Sequence, residues 1–153
     1  MSFGGNRYPQ TNTYVLIGSK TAAGVRTGVE LEDTYSTTED TEPTKTFPVA
    51  GFTKLTIDGA YTMGATETAN TIEVKVESSS DRINWTQLSN DSTSGDTSTL
   101  TNREFQFLGA DGATDQFQIF LDVAYEYIRV SCKESGRASN KGNVYVEATL
   151  VGA

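Results

Sequence analysis

A strict alternation of apolar and polar residues is the feature that most constrains the fold of this chain. Over residues 71–77, Ile72, Val74 and Val76 share one face of an extended segment, and charged residues share the other. A period of two is typical of a β-strand with one buried face. The same alternation predicts further strands over residues 13–17, 28–32, 53–58, 83–88, 103–108, 116–121, 127–133 and 143–151.

Short strands separated by turn-forming residues predict an all-β fold, an antiparallel β-sandwich of the jelly-roll or immunoglobulin-like kind. A length of 153 residues fits one domain. We predict that residues 12–153 form this domain and that residues 1–11 form an extended N-terminal arm. We also predict a long acidic loop near residues 33–50, because this Thr-rich segment offers little apolar area to order it.

The chain contains no histidine. Histidine is the usual proton shuttle near neutral pH and a common metal ligand, so we expect neither an enzyme nor a cofactor. Glu39, Asp40 and Glu42 supply carboxylates, as the catalytic pair of a glycosidase does, but the likeness is only one of composition. A glycosidase needs two carboxylates held across the sugar on rigid elements, and a solvated loop does not provide them.

Cys132 and Trp85 can each be interpreted either as a functional residue or as part of the hydrophobic core. Cys132 shares the apolar face of its strand with Ile128 and Val130, and no histidine is present to activate its thiol. We therefore interpret Cys132 as a small buried hydrophobic residue, and a lone cysteine fits a reducing cytoplasm. Trp85 could stack on a sugar, but as the only tryptophan of a sandwich we place it in or near the core.

Oxygen-bearing side chains recur in two loops. Calcium binds such groups, but the distal glutamate of a helical calcium loop is missing and ordinary turn chemistry explains the composition. We therefore predict no metal site. The residues concerned are Asp91, Thr93, Gly95, Asp96, Asp111 and Asp115.

Aromatic residues on polar positions are candidate contacts with another protein. Tyr127 and Tyr145 fall on the polar faces of their strands, where they either form an interface or pack beneath another part of the chain. In the arm, Phe3, Arg7 and Tyr8 could lie on a neighbouring subunit. These five residues are the predicted contacts with another protein or a neighbouring subunit.

The charge of the chain limits its partners. A formal net charge of −8 and scattered basic residues argue against direct nucleic-acid binding, which needs clustered Lys and Arg.

No apolar run approaches the roughly 20 residues that span a bilayer, so we expect no membrane association. The first residues lack the apolar core of a secretory signal, and we expect synthesis in the cytoplasm.

Several strand-and-turn segments resemble β-sandwich structural proteins of tailed bacteriophages. The likeness extends from Phe52 to Leu150, about two-thirds of the chain, and includes the Asn84-Trp85 pair. The turn at Asp81-Arg82 differs from the Asp-Gly of some related sequences. The remaining segments that carry the resemblance are residues 61–65, 73–81, 127–131 and 144–148.

This resemblance implies a virion component, most like a capsid decoration (cement) protein. Such proteins sit on the outer capsid surface, often as homotrimers or other homo-oligomers, and clamp adjacent major capsid protein subunits. No catalytic residue comes with the family. Two alternatives stay open: a tail, neck or baseplate structural protein, and a non-catalytic carbohydrate-binding module that uses Trp85 and exposed tyrosines.

Overall fold

The computed structural model of the chain describes residues 11–36, 38, 40–88, 105–109 and 114–152. These residues form strands and turns, and no helix in them is long and apolar enough to cross a membrane. The strands are β1 (Thr11–Ile17), β2 (Ser19–Lys20), β3 (Arg26–Thr27), β4 (Val29–Glu30), β5 (Thr44–Pro48), β6 (Lys54–Thr62), β7 (Thr71–Ser79), β8 (Thr86–Gln87), β9 (Phe105–Leu108), β10 (Thr114–Asp122), β11 (Tyr127–Ser135) and β12 (Asn143–Val151).

Two antiparallel sheets pack against each other, which confirms the predicted all-β sandwich. The first sheet has the order β1-β12-β6-β10, with β4 also paired to β12. The second sheet has the order β5-β11-β7, and both β8 and β9 pair with β7. Strands β2 and β3 form a separate hairpin.

The core lies between the sheets and follows the sequence alternation. Ile57 of β6 and Val74 of β7 are fully buried, as are the apolar residues at every second position of their strands. The rings of Phe107 and Phe117 stack across the sheets with centroids 4.5 Å apart. Gly59 makes room for the Phe117 ring, because a Cβ at position 59 would lie 2.0 Å from that ring.

The predicted long loop over residues 33–50 is wrong in its second half, which forms β5. Thr44 and Thr46 are buried although they are polar, and Phe47 is buried beside them. The Thr44 hydroxyl donates a hydrogen bond to the Ser131 hydroxyl at 3.1 Å. Pairing with β11 therefore orders a segment that the sequence alone does not mark as a strand.

The strand predicted over residues 83–88 is shorter than expected. The Asp81 carboxylate accepts hydrogen bonds from the backbone N–H of Ile83 at 2.9 Å and of Asn84 at 2.8 Å, which holds this segment in a turn. Only Thr86–Gln87 pairs as a strand. Thr11, the last residue of the predicted arm, belongs to β1 instead, and residues 1–10 lie outside the described residues.

Candidate docking surface

The outer face of the second sheet is occupied by ion pairs within the chain. Arg129 donates from Nε to Glu77 at 2.8 Å, and the Lys133 Nζ lies 3.0 Å from the Glu73 carboxylate. The ring of Tyr35 lies against Lys133, with 4.9 Å between Nζ and the ring centroid. The charged groups of this face therefore already have partners inside the molecule.

The outer face of the first sheet carries a row of uncharged side chains, flanked by the charged residues Lys54, Asp58, Asp122 and Glu147. Strand register places Thr13, Thr149 and Thr56 in one row across β1, β12 and β6, and Phe120 of β10 completes the row. The side chain of Phe120 is 72% exposed. An exposed aromatic residue among uncharged polar ones is the composition of a protein contact surface, because charged residues are depleted at interface cores.

A groove of about 680 Å³ runs along this face beside β10. Asp58 on its floor accepts a hydrogen bond from Gln118 at 2.6 Å. Such planar polar groups can hydrogen-bond an incoming chain or a polar ligand. The groove is lined by Arg26, Asp58, Gly59, Gln116, Phe117, Gln118 and Glu147.

The β2–β3 hairpin covers one end of the same face and buries Tyr145. The Glu147 carboxylate accepts hydrogen bonds from the Tyr145 hydroxyl at 2.7 Å and from Lys20 Nζ at 3.1 Å, and Arg26 lies 3.3 Å away. Burial raises the pKa of Glu147, but these hydrogen bonds and charges outweigh it and leave the pKa lowered. Burial and the bond to Glu147 raise the pKa of Tyr145 to about 12.

Of the five predicted contact residues, the structure describes two. Tyr145 is only 2% exposed, so packing within the chain accounts for its place on a polar face. Tyr127 is half-buried on the outer face of the second sheet, with the Arg82 guanidinium 6.0 Å from its ring centroid. Phe3, Arg7 and Tyr8 lie outside the described residues.

Trp85 does not lie in the core, which corrects the sequence prediction. Its ring is half-buried on the outside of the second sheet, and the Arg129 guanidinium lies 4.3 Å from the ring centroid. The indole is therefore covered by a cation that also pairs with Glu77. Cys132, in contrast, is fully buried as predicted, and burial raises the pKa of its thiol to about 12.

The acidic loop carboxylates attach the loop to the rest of the molecule. Asp40 accepts a hydrogen bond from the backbone N–H of Thr46 at 2.9 Å, and Glu42 accepts one from Gly18 at 3.1 Å. Glu39 lies outside the described residues. The two carboxylates that the structure describes therefore act as loop anchors.

Two other carboxylates, which the sequence analysis missed, are held entirely by internal donors. Glu134 is completely buried and accepts hydrogen bonds from Tyr61 and Asn70. Glu67 accepts backbone bonds from residues 138–140, and these bonds lower its pKa to about 2. Glu134 follows Ile128, Val130 and Cys132 at every second position of β11, so the strand period already places it on the buried face. Glu67 lies between β6 and β7, and only its three-dimensional contacts reveal it.

Most of the oxygen-bearing residues that the sequence singles out lie outside the described residues. Asp91, Thr93, Gly95, Asp96 and Asp111 lie outside the described residues, and the remaining candidate, Asp115, is exposed on β10. The residues that the structure describes contain no group of three or more acidic, cysteine or histidine side chains placed to hold a metal ion.

Phe120 was also missed, although the sequence carries a signal for it. The alternation of β10 breaks at Ile119-Phe120-Leu121, where three large apolar residues follow one another. A strand with one buried face cannot bury all three, so one of them must point outward. The middle residue of the run is the one that does.

No family model and no curated protein matches this chain. Among solved structures, a region of tripeptidyl peptidase 2 is similar over 93% of this chain and 10% of its own, with a TM-score of 0.54 and 9% identity. The structure of infectious bursal disease virus, Gx strain, is similar over 94% of this chain and 32% of its own, with a TM-score of 0.47 and 9% identity. A structure of Bacillus endospore appendages, described as disulfide-linked pili, is similar over 99% of this chain and 95% of its own, with a TM-score of 0.36 and 10% identity.

The chain thus spans about a tenth of tripeptidyl peptidase 2 and about a third of the viral chain. At 9% identity, the likeness to the peptidase structure is a likeness of fold: it supports the β-sandwich assignment. The surface chemistry of this chain has to be argued from its own residues.

Proposed function

We propose that this chain is a structural protein of a tailed-bacteriophage virion, which decorates and stabilises the capsid by binding major capsid protein subunits on the outer capsid surface. The proposal joins the resemblance of residues 52–150 to phage sandwich proteins with the geometry of the surface. It includes assembly as a homo-oligomer, without direct contacts to nucleic acid or membrane and without catalysis.

The observation that carries the proposal is the contrast between the two outer faces. The second sheet presents paired charges, whereas the first presents the row Thr13, Thr149, Thr56 and Phe120. A protein partner that docks on this row loses little hydration energy there, since the row itself contains no charged group to desolvate. The charged groups that flank the row, such as Lys54 and Asp122, are paired within the chain. When many copies bind a symmetric shell, contacts of modest affinity together give stable attachment.

The test compares two matched arginine substitutions for capsid occupancy. Thr56→Arg places a bulky charge in the centre of the proposed face, and Thr71→Arg places one on the outer side of β7 in the other sheet. Both threonines are half-buried and outward-facing, so their cost to folding is similar. We expect Thr56→Arg to abolish binding to purified capsids and Thr71→Arg to leave it unchanged. Equal occupancy of the two variants would refute docking through the first sheet.

The arm is tested separately. Deletion of residues 1–10 leaves β1 intact, because that strand begins at Thr11. We expect lower capsid occupancy, since an extended segment can add to an exposed strand of a neighbour. Undiminished occupancy would remove Phe3, Arg7 and Tyr8 from the docking surface. Cryo-electron microscopy of the particle separates a head protein from a tail, neck or baseplate component by position.

A second candidate function, non-catalytic carbohydrate binding, is favoured by the groove beside β10 and not by Trp85. Asp58, Gln118 and Arg26 offer the planar hydrogen-bonding groups that sugar hydroxyls need, and Phe120 lies exposed next to Gln118 along the outer face. A glycan array with the native chain and Gln118→Ala tests it. Glycan binding that is lost in this variant, without capsid binding by the native chain, would favour this function.

A further inference from the structure

Strand β10 forms an edge of the first sheet without the usual protection. Its nine residues pair with β6 in one unbroken register, and within the described residues no strand pairs with its other side. Proteins usually protect an exposed edge with a bulge, proline, charged side chain or short length. Strand β10 has no bulge in its register with β6, no proline and no lysine or arginine over nine residues; its charges are Asp115, on the same side as the inward-facing Phe117, and Asp122, both near its ends.

The other edges are protected in these ways. Strand β1 shifts register between Val15 and Ile17, as in a β-bulge. Strand β5 has five residues and ends in Pro48. Strands β8 and β9 have two and four residues. The contrast indicates that β10 is kept open for pairing.

We propose that β10 pairs with β10 of a second copy of this chain, antiparallel, about a two-fold axis at Gln118. Gln118 is the midpoint of Thr114–Asp122, so this register pairs all nine residues of both strands. The pairing would join the two first sheets into one continuous sheet. A two-fold contact uses the same surface on both copies and therefore closes as a dimer.

The side chains are self-complementary in this register. On the inner side, Phe117 faces Ile119 of the second copy, so that apolar meets apolar. On the outer side, Gln118 faces its own symmetry mate, and the exposed Phe120 gains Gln116 of the second copy as a neighbour. Cross-strand pairs of this kind are the unit of sheet stabilisation.

Charge also favours a second copy as the occupant. Asp115, which is exposed although it lies on the inner side of β10, faces Leu121 of the second copy, and Asp122 faces Thr114. No carboxylate therefore lies directly opposite another, despite the acidic net charge of the chain. Asp122 is moreover ion-paired with Lys54. A register shifted by one residue would set inner side chains of one copy against outer side chains of the other, which the pleat forbids.

The test needs only the purified protein and is independent of capsid binding. Light scattering of the native chain over a range of concentrations should give twice the 16.5 kDa monomer mass. Gln118→Lys sets two ammonium groups opposite each other on the axis, and we expect the dimer to dissociate about fivefold more readily. Gln116→Lys is the control, because its lysine faces Phe120. Circular dichroism checks that each variant folds.

A mixing experiment isolates the symmetry axis. Gln118→Lys and Gln118→Glu should each dissociate alone, whereas their mixture should form a heterodimer with a lysine opposite a glutamate. A native chain that is monomeric or trimeric at all concentrations would overturn the proposal, and so would a mixture that gains no dimer. Loss of capsid occupancy in Thr56→Arg is unaffected by either result, so the two proposals fail separately.

Discussion

The hydroxyl of Tyr61 donates a hydrogen bond of 3.0 Å to the Glu134 carboxylate in the interior of the sandwich. Asn70 Nδ2 donates to the same carboxylate at 3.1 Å, and the backbone N–H of Gly142 donates at 2.8 Å. A carboxylate that is fully removed from water is tolerated only when its oxygens are satisfied in this way. Burial and the bond to Glu134 raise the pKa of Tyr61 well above its usual value, so the phenol remains a donor.

Removal of this carboxylate should strongly destabilise the fold. Glu134→Ala leaves the donors of Tyr61, Asn70 and Gly142 buried without an acceptor, and each unpaired group costs about 1–3 kcal/mol. We expect a loss of about 3 kcal/mol or more in the free energy of unfolding, measured by urea denaturation. Glu134→Gln keeps one acceptor oxygen and should lose less. Glu126→Ala, at an exposed position, is the control and should change little.

A second carboxylate makes stability depend on pH. The backbone N–H groups of Ala138, Asn140 and Ser139 lower the pKa of Glu67 from 4.5 to about 2. Since the folded pKa is the lower one, this stabilisation is complete above about pH 4.5 and is lost as the pH falls toward 2. We expect the urea midpoint of the native chain to fall over this window and Glu67→Gln to show a smaller fall. The same pH dependence in both proteins would assign the effect to other carboxylates.

The sequence predicted the strands whose burial follows from their own pattern. In β12, and in β7 as far as Val76, every second residue is apolar, and both strands appear where the alternation indicated them. Strand β5 could not be found in this way, because Thr44 and Thr46 are polar by themselves and become buried only against β11. Their burial results from a contact between segments far apart in the sequence, and the local residue pattern does not indicate such a contact.

Non-local contacts also decide which parts of the candidate docking surface could be predicted from the sequence. The position of Tyr145 on a polar face follows from the strand period. The hairpin that covers Tyr145, however, lies more than a hundred residues earlier in the chain, and its Lys20 and Arg26 form ion pairs with Glu147. Trp85 was misplaced for a similar reason, since the cation over its ring comes from β11. Two residues carried a local signal: Phe120 through the break in alternation, and Glu134 through its inward position in β11.

Gly18 and Gly24 have the same left-handed backbone conformation, but only at Gly18 would an added side chain also clash with a neighbouring atom. Gly18 has φ +88° and Gly24 has φ +87°, but a Cβ at Gly18 would lie 2.4 Å from the Thr27 carbonyl oxygen, whereas nothing lies within 4 Å of one at Gly24. Gly24→Ala should therefore cost about 1 kcal/mol, the left-handed backbone cost alone. Gly18→Ala should cost roughly 3 kcal/mol, because the hairpin that covers Tyr145 must also move. Thermal unfolding of both variants measures this, and equal losses would mean that the hairpin adapts freely.

The pairing of Arg129 with Trp85 gives a spectroscopic prediction. Since the chain has one tryptophan, its fluorescence reports on this ring alone. Arg129→Ala removes the guanidinium that lies 4.3 Å from the ring centroid, so water reaches the indole and the emission maximum should move to longer wavelength. Arg129→Lys keeps the charge but loses the planar stacking and should give a smaller shift. Lys133→Ala, on the same outer face but not against Trp85, should leave the spectrum unchanged. An unshifted spectrum in Arg129→Ala would show that the ring is shielded by other groups.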